Sequence, residues 1–538
     1  MFFFLSIIFV LFFHYSLIFV FIKNETYTKI VDMQPKKSKR DLPSNNFHYI
    51  SDHSVFLLLH FLTFICLSFP YYSIFGIRDI SPRDDMKNVN VEDQIIIAEY
   101  ISNIATPVVA GFISDYAGTR YVLYAVNLLS VVSQLVVFFW IHFRSVSFEY
   151  LLMGRILYAV SFEGYFVASI TLLARWCLKN SFSKAINLTL VLGEGVVYII
   201  IYVISYNLYS DRSKSEDYLY WIILTGTIMV IISLFLTFFI MKLYSKIEYE
   251  SSVNPKHLRS MWKSMQHVLS FKFFCLFLNF ALISSSFNWF VQYYDTYLKN
   301  YFSEEQLANS QIFEAIPYAV LVIVSITLAY VLKNNSQRIL YLMFGSFLIL
   351  IANLYLFFSL HFNQALRSVN WILSSFFVVV IGIGYSMHYS VIYTCVPLLK
   401  QPRQKIFETN KEIGIKFGIL RWVRSILNFF MFVFVSSFRT PFDNYWIASL
   451  FLFIGLILCY LLVFVYDRNL FSNEEVKEDN EIKSKTDDLL SEISPNKNNF
   501  DMKFTEGDGK QIGEGFSDEE EKSDEEEDEI REGKIINS

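Results

Sequence analysis

The chain is 538 residues long, 54% hydrophobic and 18% aromatic, with a formal charge of −5 at pH 7. That balance excludes an ordinary soluble domain and gives no footing for nucleic-acid binding. The charge is also split: from Asp467 onward 24 residues are acidic and 10 basic, so the remainder, with 35 basic and 26 acidic, carries +9.

The first apolar run, residues 2–22 of a segment at 1–23, has no basic residues ahead of it and no small-residue cleavage site. It reads as an extra membrane anchor rather than a signal peptide, with a mis-assigned start codon as the alternative. Residues 24–52 carry Lys36, Lys37, Lys39 and Arg40 and are assigned to the cytoplasm. Apolar runs of roughly 20 residues then recur, each long enough to cross a bilayer, and each must be helical because lipid offers no partner to the backbone. They fall near 53–76, 94–114, 120–143, 148–175, 182–207 and 218–243 in an N-terminal half at 53–243, followed by a polar connector at 244–270. The second half, 271–466, has its runs near 271–296, 306–332, 338–361, 369–397, 413–437 and 443–466.

Basic residues concentrate in alternate loops, with Arg175, Lys179 and Lys184 in one and Lys400, Arg403, Lys405 and Lys411 in another. This asymmetry predicts that both ends of the twelve-helix body are cytoplasmic. The last 72 residues, 467–538, lose apolar periodicity and end in an acidic run around Ser517 and Ser523. Such a composition cannot bury a core, so a disordered cytoplasmic tail is expected. The five cysteines lie in or at the ends of predicted helices, without metal-ligand spacing.

Between the second and third runs stands Gly111-Phe-Ile-Ser-Asp115-Tyr-Ala-Gly118-Thr-Arg120. It reads as a tight loop in which Gly111 and Gly118 permit a turn and close helix approach, while Asp115 and Arg120 clamp neighbouring helix ends. The pattern resembles the loop between helices 2 and 3 of the major facilitator superfamily. That resemblance implies an all-α multi-pass fold of twelve transmembrane helices as 6+6 pseudo-repeats. The counterpart between runs eight and nine is eroded to Leu332, Asn335 and Arg338.

A charge at the bilayer centre costs on the order of 2.5–3.5 kcal/mol on insertion scales, so each needs a reason. Run four holds Arg155 and Glu163, run five Glu194, run eight Glu314, and run eleven Arg421 and Arg424, three apart on one helix face. Glu163, Glu194, Glu314, Arg421 and Arg424 are the candidate substrate-binding residues. Gly111, Asp115, Gly118, Arg120 and Arg155 are the candidate conformational residues. Glu163 and Arg424 are expected as the two poles of the site. Glu99 and His388 are weaker candidates, the histidine reading first as a packing residue.

From Gly154-Arg155 through Ser161-Phe-Glu163 and Ala174-Arg-Trp176 to Lys184, the chain is also similar to the lysosomal dipeptide-transporter family called major facilitator superfamily domain-containing protein 1. Asn103, Phe302-Ser303 with Gln306, Tyr385-Ser386, Val396-Pro397 and Phe417-Gly418 with Ser425 add to the resemblance. It departs where the family's span-5 arginine, implicated in holding the dipeptide, is Glu194, and where Tyr72-Ser73-Ile74-Phe75 replaces Tyr-Asp-Asn-Pro. A family asparagine becomes Glu314, and uncharged positions become Arg421 and Arg424.

The expected function is alternating-access transport of a small polar organic solute, with cationic or zwitterionic dipeptides or amino acids first. An organic-anion or monocarboxylate carrier is the alternative within transport, and a receptor or scaffold signalling through the acidic tail is the alternative outside it. No nucleophile–base pair, metal cluster or phosphate loop suggests an enzyme or a cofactor, and proton coupling through Glu163 stays open. The resemblance implies a lysosomal or other endomembrane location, with the plasma membrane as alternative, and an accessory membrane glycoprotein as partner beside the solute and the lipid bilayer.

Overall fold

A computed structural model describes residues 46–73, 91–143, 147–177, 179–209, 215–248, 271–301, 310–332, 338–362, 367–398, 413–435 and 441–461. The anchor expected at 1–23, the basic residues Lys36 to Arg40, the connector from 249 to 270 and the tail at 467–538 lie outside the described residues. The described chain is helical, with no strand among these residues. Its helices are α1 (Asn46–Ser73), α2 (Val91–Ile113), α3 (Thr119–His142), α4 (Phe148–Trp176) and α5. α5 comprises Lys179–Ile186 and Leu192–Tyr209 joined by a π-helical turn at Asn187–Val191. Then come α6 (Ser215–Glu248), α7 (Phe271–Tyr301), α8 (Ser310–Val331), α9 (Arg338–Phe362), α10 (Arg367–Cys395), α11 (Ile413–Val435) and α12 (Pro441–Leu461).

Length and apolarity make this a membrane body. Six stretches of the described residues are long and apolar enough to span, among them Phe148–Trp176 and Ser181–Ile201. A third, Gln94–His142, runs for 49 residues. At 1.5 Å per residue that is about 74 Å, more than twice a hydrocarbon core of about 30 Å, so it must double back. It does so at Gly118, whose φ of 101° and ψ of 139° suit no side chain with a Cβ. The tight loop expected here is thus very short: α2 extends through a π-helical turn, Ser114–Gly118, and the chain reverses at Gly118 directly into α3. α11 misses an apolar threshold because it carries Lys416, Arg421 and Arg424 on one helix.

Packing repeats with an offset of six. α1 packs on α5 and α6, α2 on α4, and α3 on α4 and α6; raising each index by six gives the contacts of α7, α8 and α9 in the second half. The outer helices α3, α6, α9 and α12 present large apolar side chains outward, such as Phe139, Phe235, Phe344 and Phe453. An apolar outer face on helices whose backbone is satisfied internally is the surface lipid requires. By contrast the apolar windows of α4 and α5 are each 83% buried, against 44% for α6. The halves meet where α2 lies on α11, α5 on α8, and α4 on α11.

Candidate functional site

The inner helices bring most of the sequence-singled charges into two groups. The first lies where α2 meets α11. Gly414-x-x-x-Gly418 on α11 faces Pro107 and Gly111 on α2, and neither helix has room for a Cβ there. A Cβ on Gly414 would sit 2.7 Å from the Gly111 carbonyl oxygen, and one on Gly111 would strike the Gly414 carbonyl. Small residues at this spacing let backbones approach closely in a membrane. The approach sets Asp115 against the start of α11, where the first amides have no intrahelical acceptor. The Gly414 and Ile415 amides donate to Asp115 Oδ1 and Oδ2 at 2.9 and 2.8 Å. Arg175 of α4 donates to Oδ1 at 2.6 Å and, through its other nitrogen, to Thr119 at 2.8 Å and the Ser114 carbonyl at 3.2 Å. Asp115 thus caps a helix of the other half. It has a guanidinium partner in Arg175, which the sequence marked as a basic loop residue and as part of the resemblance; Arg120 is half-buried.

Arg155 has a different task. Its Nε donates to Glu99 at 2.8 Å, and its two terminal nitrogens donate to the Pro70 and Tyr71 carbonyls, each at 2.9 Å. Those carbonyls belong to the last turn of α1, which no further helical amide can satisfy. One guanidinium so ties α1, α2 and α4, which accounts for both Arg155 and Glu99. His388 is likewise a packing residue: its Nε2 meets Asn279 Oδ1 at 2.8 Å, and Asn279 in turn donates to the Gly455 carbonyl of α12.

The second group lies between the halves. Arg421 of α11 grips Glu163 of α4 with two parallel bonds, Nε to Oε2 at 3.0 Å and Nη2 to Oε1. Its Nη1 reaches the Tyr393 hydroxyl at 3.3 Å, and its guanidinium lies 4.1 Å over the Phe166 ring. Glu163 and Arg424 were expected as the two poles of the site; among the described residues Glu163 is bonded to Arg421. One turn on, Arg424 stands over Phe280 at 5.8 Å, buried, with no carboxylate partner among the described residues and its Nε unbonded. Glu194 mirrors it in α5: buried, it accepts from the Tyr72 hydroxyl at 3.3 Å, and among the described residues its Oε2 has no partner. The π-helical turn at Asn187–Val191 adds one residue ahead of Glu194, rotating the remainder of α5 by about 100° relative to a regular helix. Glu194 and Arg424 both act electrostatically on Tyr385. Glu314 lies in α8, but its side chain is outside the described residues.

Aromatic rings join these charges in a closed circuit. Tyr72 leans on Tyr198 at 4.3 Å, and Tyr198 stacks on Tyr318 of the other half at 3.9 Å. Phe287 bridges Tyr318 to Tyr385, stacking on the latter at 3.6 Å. Tyr385, Tyr389 and Tyr393 succeed one another at four-residue steps along one face of α10. Phe166 receives Tyr393 at 5.7 Å and returns through Phe64 and Phe162 to Tyr72. Among the described residues the halves touch ring to ring at Tyr198–Tyr318 and Phe166–Tyr393 within this circuit, and outside it at Tyr100–Phe432 and Phe182–Phe417. Nothing in the sequence distinguished these rings, since 56 Phe and 34 Tyr leave no contrast.

No curated protein sequence matches the chain. Among solved structures, the proton:xylose symporter XylE bound to 6-bromo-6-deoxy-D-glucose is similar at a TM-score of 0.57 and 13% identity, covering 80% of this chain and 99% of that one. The transporter FucP in its outward conformation gives 0.56 and 12%, with 77% and 99% covered. A bacterial homologue of the iron transporter ferroportin gives 0.55 and 13%, with 76% and 99% covered. At such identities the likeness is one of fold. The family model described as Major Facilitator Superfamily matches residues 94–407, more than half of the sequence, and the chain therefore belongs to the major facilitator superfamily of membrane transporters.

Proposed function

We propose that this transporter carries small zwitterionic solutes, dipeptides or amino acids, with Glu194 holding the ammonium end and Arg424 the carboxylate end. The observation that carries the reading is the pair itself: two buried opposite charges, one from each half, neither with an ionic partner among the described residues. An unpaired charge in this setting costs several kcal/mol, and a ligand bearing the complementary charges recovers that cost. Arg421, already held by Glu163, is not free in the same sense, which favours a zwitterion over an organic anion seated on both arginines.

Relative to the resembled dipeptide-transporter family, the span-5 cation is replaced by the anion Glu194, and α11 gains cations at positions uncharged in the family. The resemblance also supports a lysosomal or other endomembrane setting and an accessory glycoprotein, and the basic loops support a cytoplasmic face at the α2–α3 end. On that topology the contact of Asp115 with α11 closes the cytoplasmic side.

The test is uptake into proteoliposomes of alanyl-alanine, its N-acetyl derivative and its C-terminal amide, with and without a pH gradient. Saturable uptake of the dipeptide alone is expected, weakened by Glu194→Gln. Arg424→Lys keeps the charge but loses the planar fork, and is expected to weaken carboxylate-bearing cargo more than the amide. Equal uptake of all three compounds would overturn the two-pole reading, and absence of any saturable flux would favour a receptor or scaffold.

A further inference from the structure

Arg421 and Arg424 lie three residues apart on α11 and are both buried; Arg421 reaches the Tyr393 hydroxyl at 3.3 Å, and Arg424 stands over Phe280, whose ring packs on Tyr393 at 5.4 Å. Two guanidiniums so placed are a ready seat for a dianion. The chain fills half of that seat itself. Glu163 reaches across from α4 and takes Arg421 in the two-pronged geometry a substrate carboxylate would use, while Phe166 covers one face of the same guanidinium. We propose that Glu163 is a specificity-determining residue: a tethered carboxylate that occupies Arg421, leaves the anion seat to Arg424, which has no carboxylate partner among the described residues, and so limits the cargo to a single carboxylate.

The charges support this. Glu163 and Arg421 cancel each other, leaving Arg424 as a cation and Glu194 as an anion with no ionic partner among the described residues. A second carboxylate on the cargo would approach Arg421 only by facing Glu163, a like charge in a poorly solvated site. Stability alone does not explain the pair. Buried ion pairs are often replaceable by apolar residues without loss, so a pair kept beside an unpaired arginine calls for another role. The inference rests on the zwitterion reading for the identity of the cargo, but not for the counting of anionic groups.

The experiment compares alanyl-alanine with alanyl-glutamate, which differs by one added carboxylate, in proteoliposomes containing the full chain. The wild type is expected to prefer alanyl-alanine. Glu163→Gln keeps the side-chain shape and releases Arg421, so alanyl-glutamate should gain about tenfold or more in affinity relative to alanyl-alanine. In the double variant Glu163→Gln with Arg421→Met the relative gain should disappear. A gain of function of this kind cannot come from misfolding. No relative gain in folded Glu163→Gln, or a gain that persists in the double variant, overturns the proposal. Should Glu163→Gln not be recovered folded, competition in the wild type decides: alanyl-glutamate inhibiting uptake as well as alanyl-alanine does overturns it, and weaker inhibition upholds it. Absence of alanyl-alanine uptake in the wild type sinks the zwitterion reading alone. Propionate against succinate then carries the same comparison of one carboxylate with two, and the same outcomes apply.

Discussion

Replacing Asp115 by asparagine tests whether the α2–α11 contact is a latch. The carboxylate accepts two amides of α11 and one guanidinium nitrogen. Asparagine keeps the shape but offers one oxygen, so one α11 amide faces an NH2 group and loses its acceptor. Leaving a buried amide unpaired costs about 1–3 kcal/mol, and each remaining bond drops from a charge-assisted one to a neutral one, about 1 kcal/mol less. The closed arrangement should therefore weaken by about 3 kcal/mol, roughly a hundredfold in the closed-to-open equilibrium. Ser114 reports on it: it is fully buried at this contact and its hydroxyl has no partner, so Ser114→Cys removes no bond. The four described native cysteines are buried and supply little background. A membrane-impermeant maleimide should label Ser114→Cys slowly and the Asp115→Asn double variant one to two orders of magnitude faster, by the same equilibrium. Turnover should fall more than affinity, because the contact governs exchange between states and does not touch cargo. Equal labelling rates at equal folded yield would refute the latch.

Arg155→Gln strands Glu99 and uncaps the end of α1, so a loss of about 3–5 kcal/mol is expected, read as a large fall in Tm in detergent; a Tm within a degree of the parent would contradict the assignment. Gly118→Ala forces a Cβ into a backbone conformation open only to glycine, at a cost of about 1–3 kcal/mol. It should lower folded yield without changing KM, and a normal yield would show that the turn can rearrange. A chain ending at Tyr466 is expected to insert and transport, because the polar, acidic composition of 467–538 cannot contribute a membrane core; loss of transport in a correctly inserted truncation would give the tail a functional part.

The membrane body could be read from the sequence because lipid enforces it: runs of this length and apolarity have no alternative to helix. The site was readable only as a set of expensive charges. Glu163, Glu194, Arg155, Arg421 and Arg424 stood out individually, but who pairs with whom depends on helix rotation and register between halves. Two arginines three apart share a face, so sequence spacing could not choose Arg421 over Arg424 for Glu163. Glu99 joined Arg155 only once α2, α4 and the end of α1 were placed together. Arg175 looked like one more basic residue of a loop, since the acceptor it needed, Asp115, lies 60 residues away. The π-helical turns before Gly118 and Glu194 left no signal, as an inserted residue in an apolar helix changes its phase and not its composition.

The places where the halves touch ring to ring bear on how the molecule moves. A hydrogen bond such as Asp115 to the Gly414 amide holds at one distance and one angle, and then fails. Stacked rings have no such register: Tyr198 can slide over Tyr318, or Phe166 tilt against Tyr393, with many arrangements of nearly equal energy. Between the halves the molecule combines both kinds, directional bonds from Asp115 and Glu163 to α11 that hold or fail, and ring contacts that can slide, a catch beside a bearing. The abundance of tyrosine and phenylalanine in this chain then has a mechanical use, since it lets two rigid halves turn past each other without opening a gap.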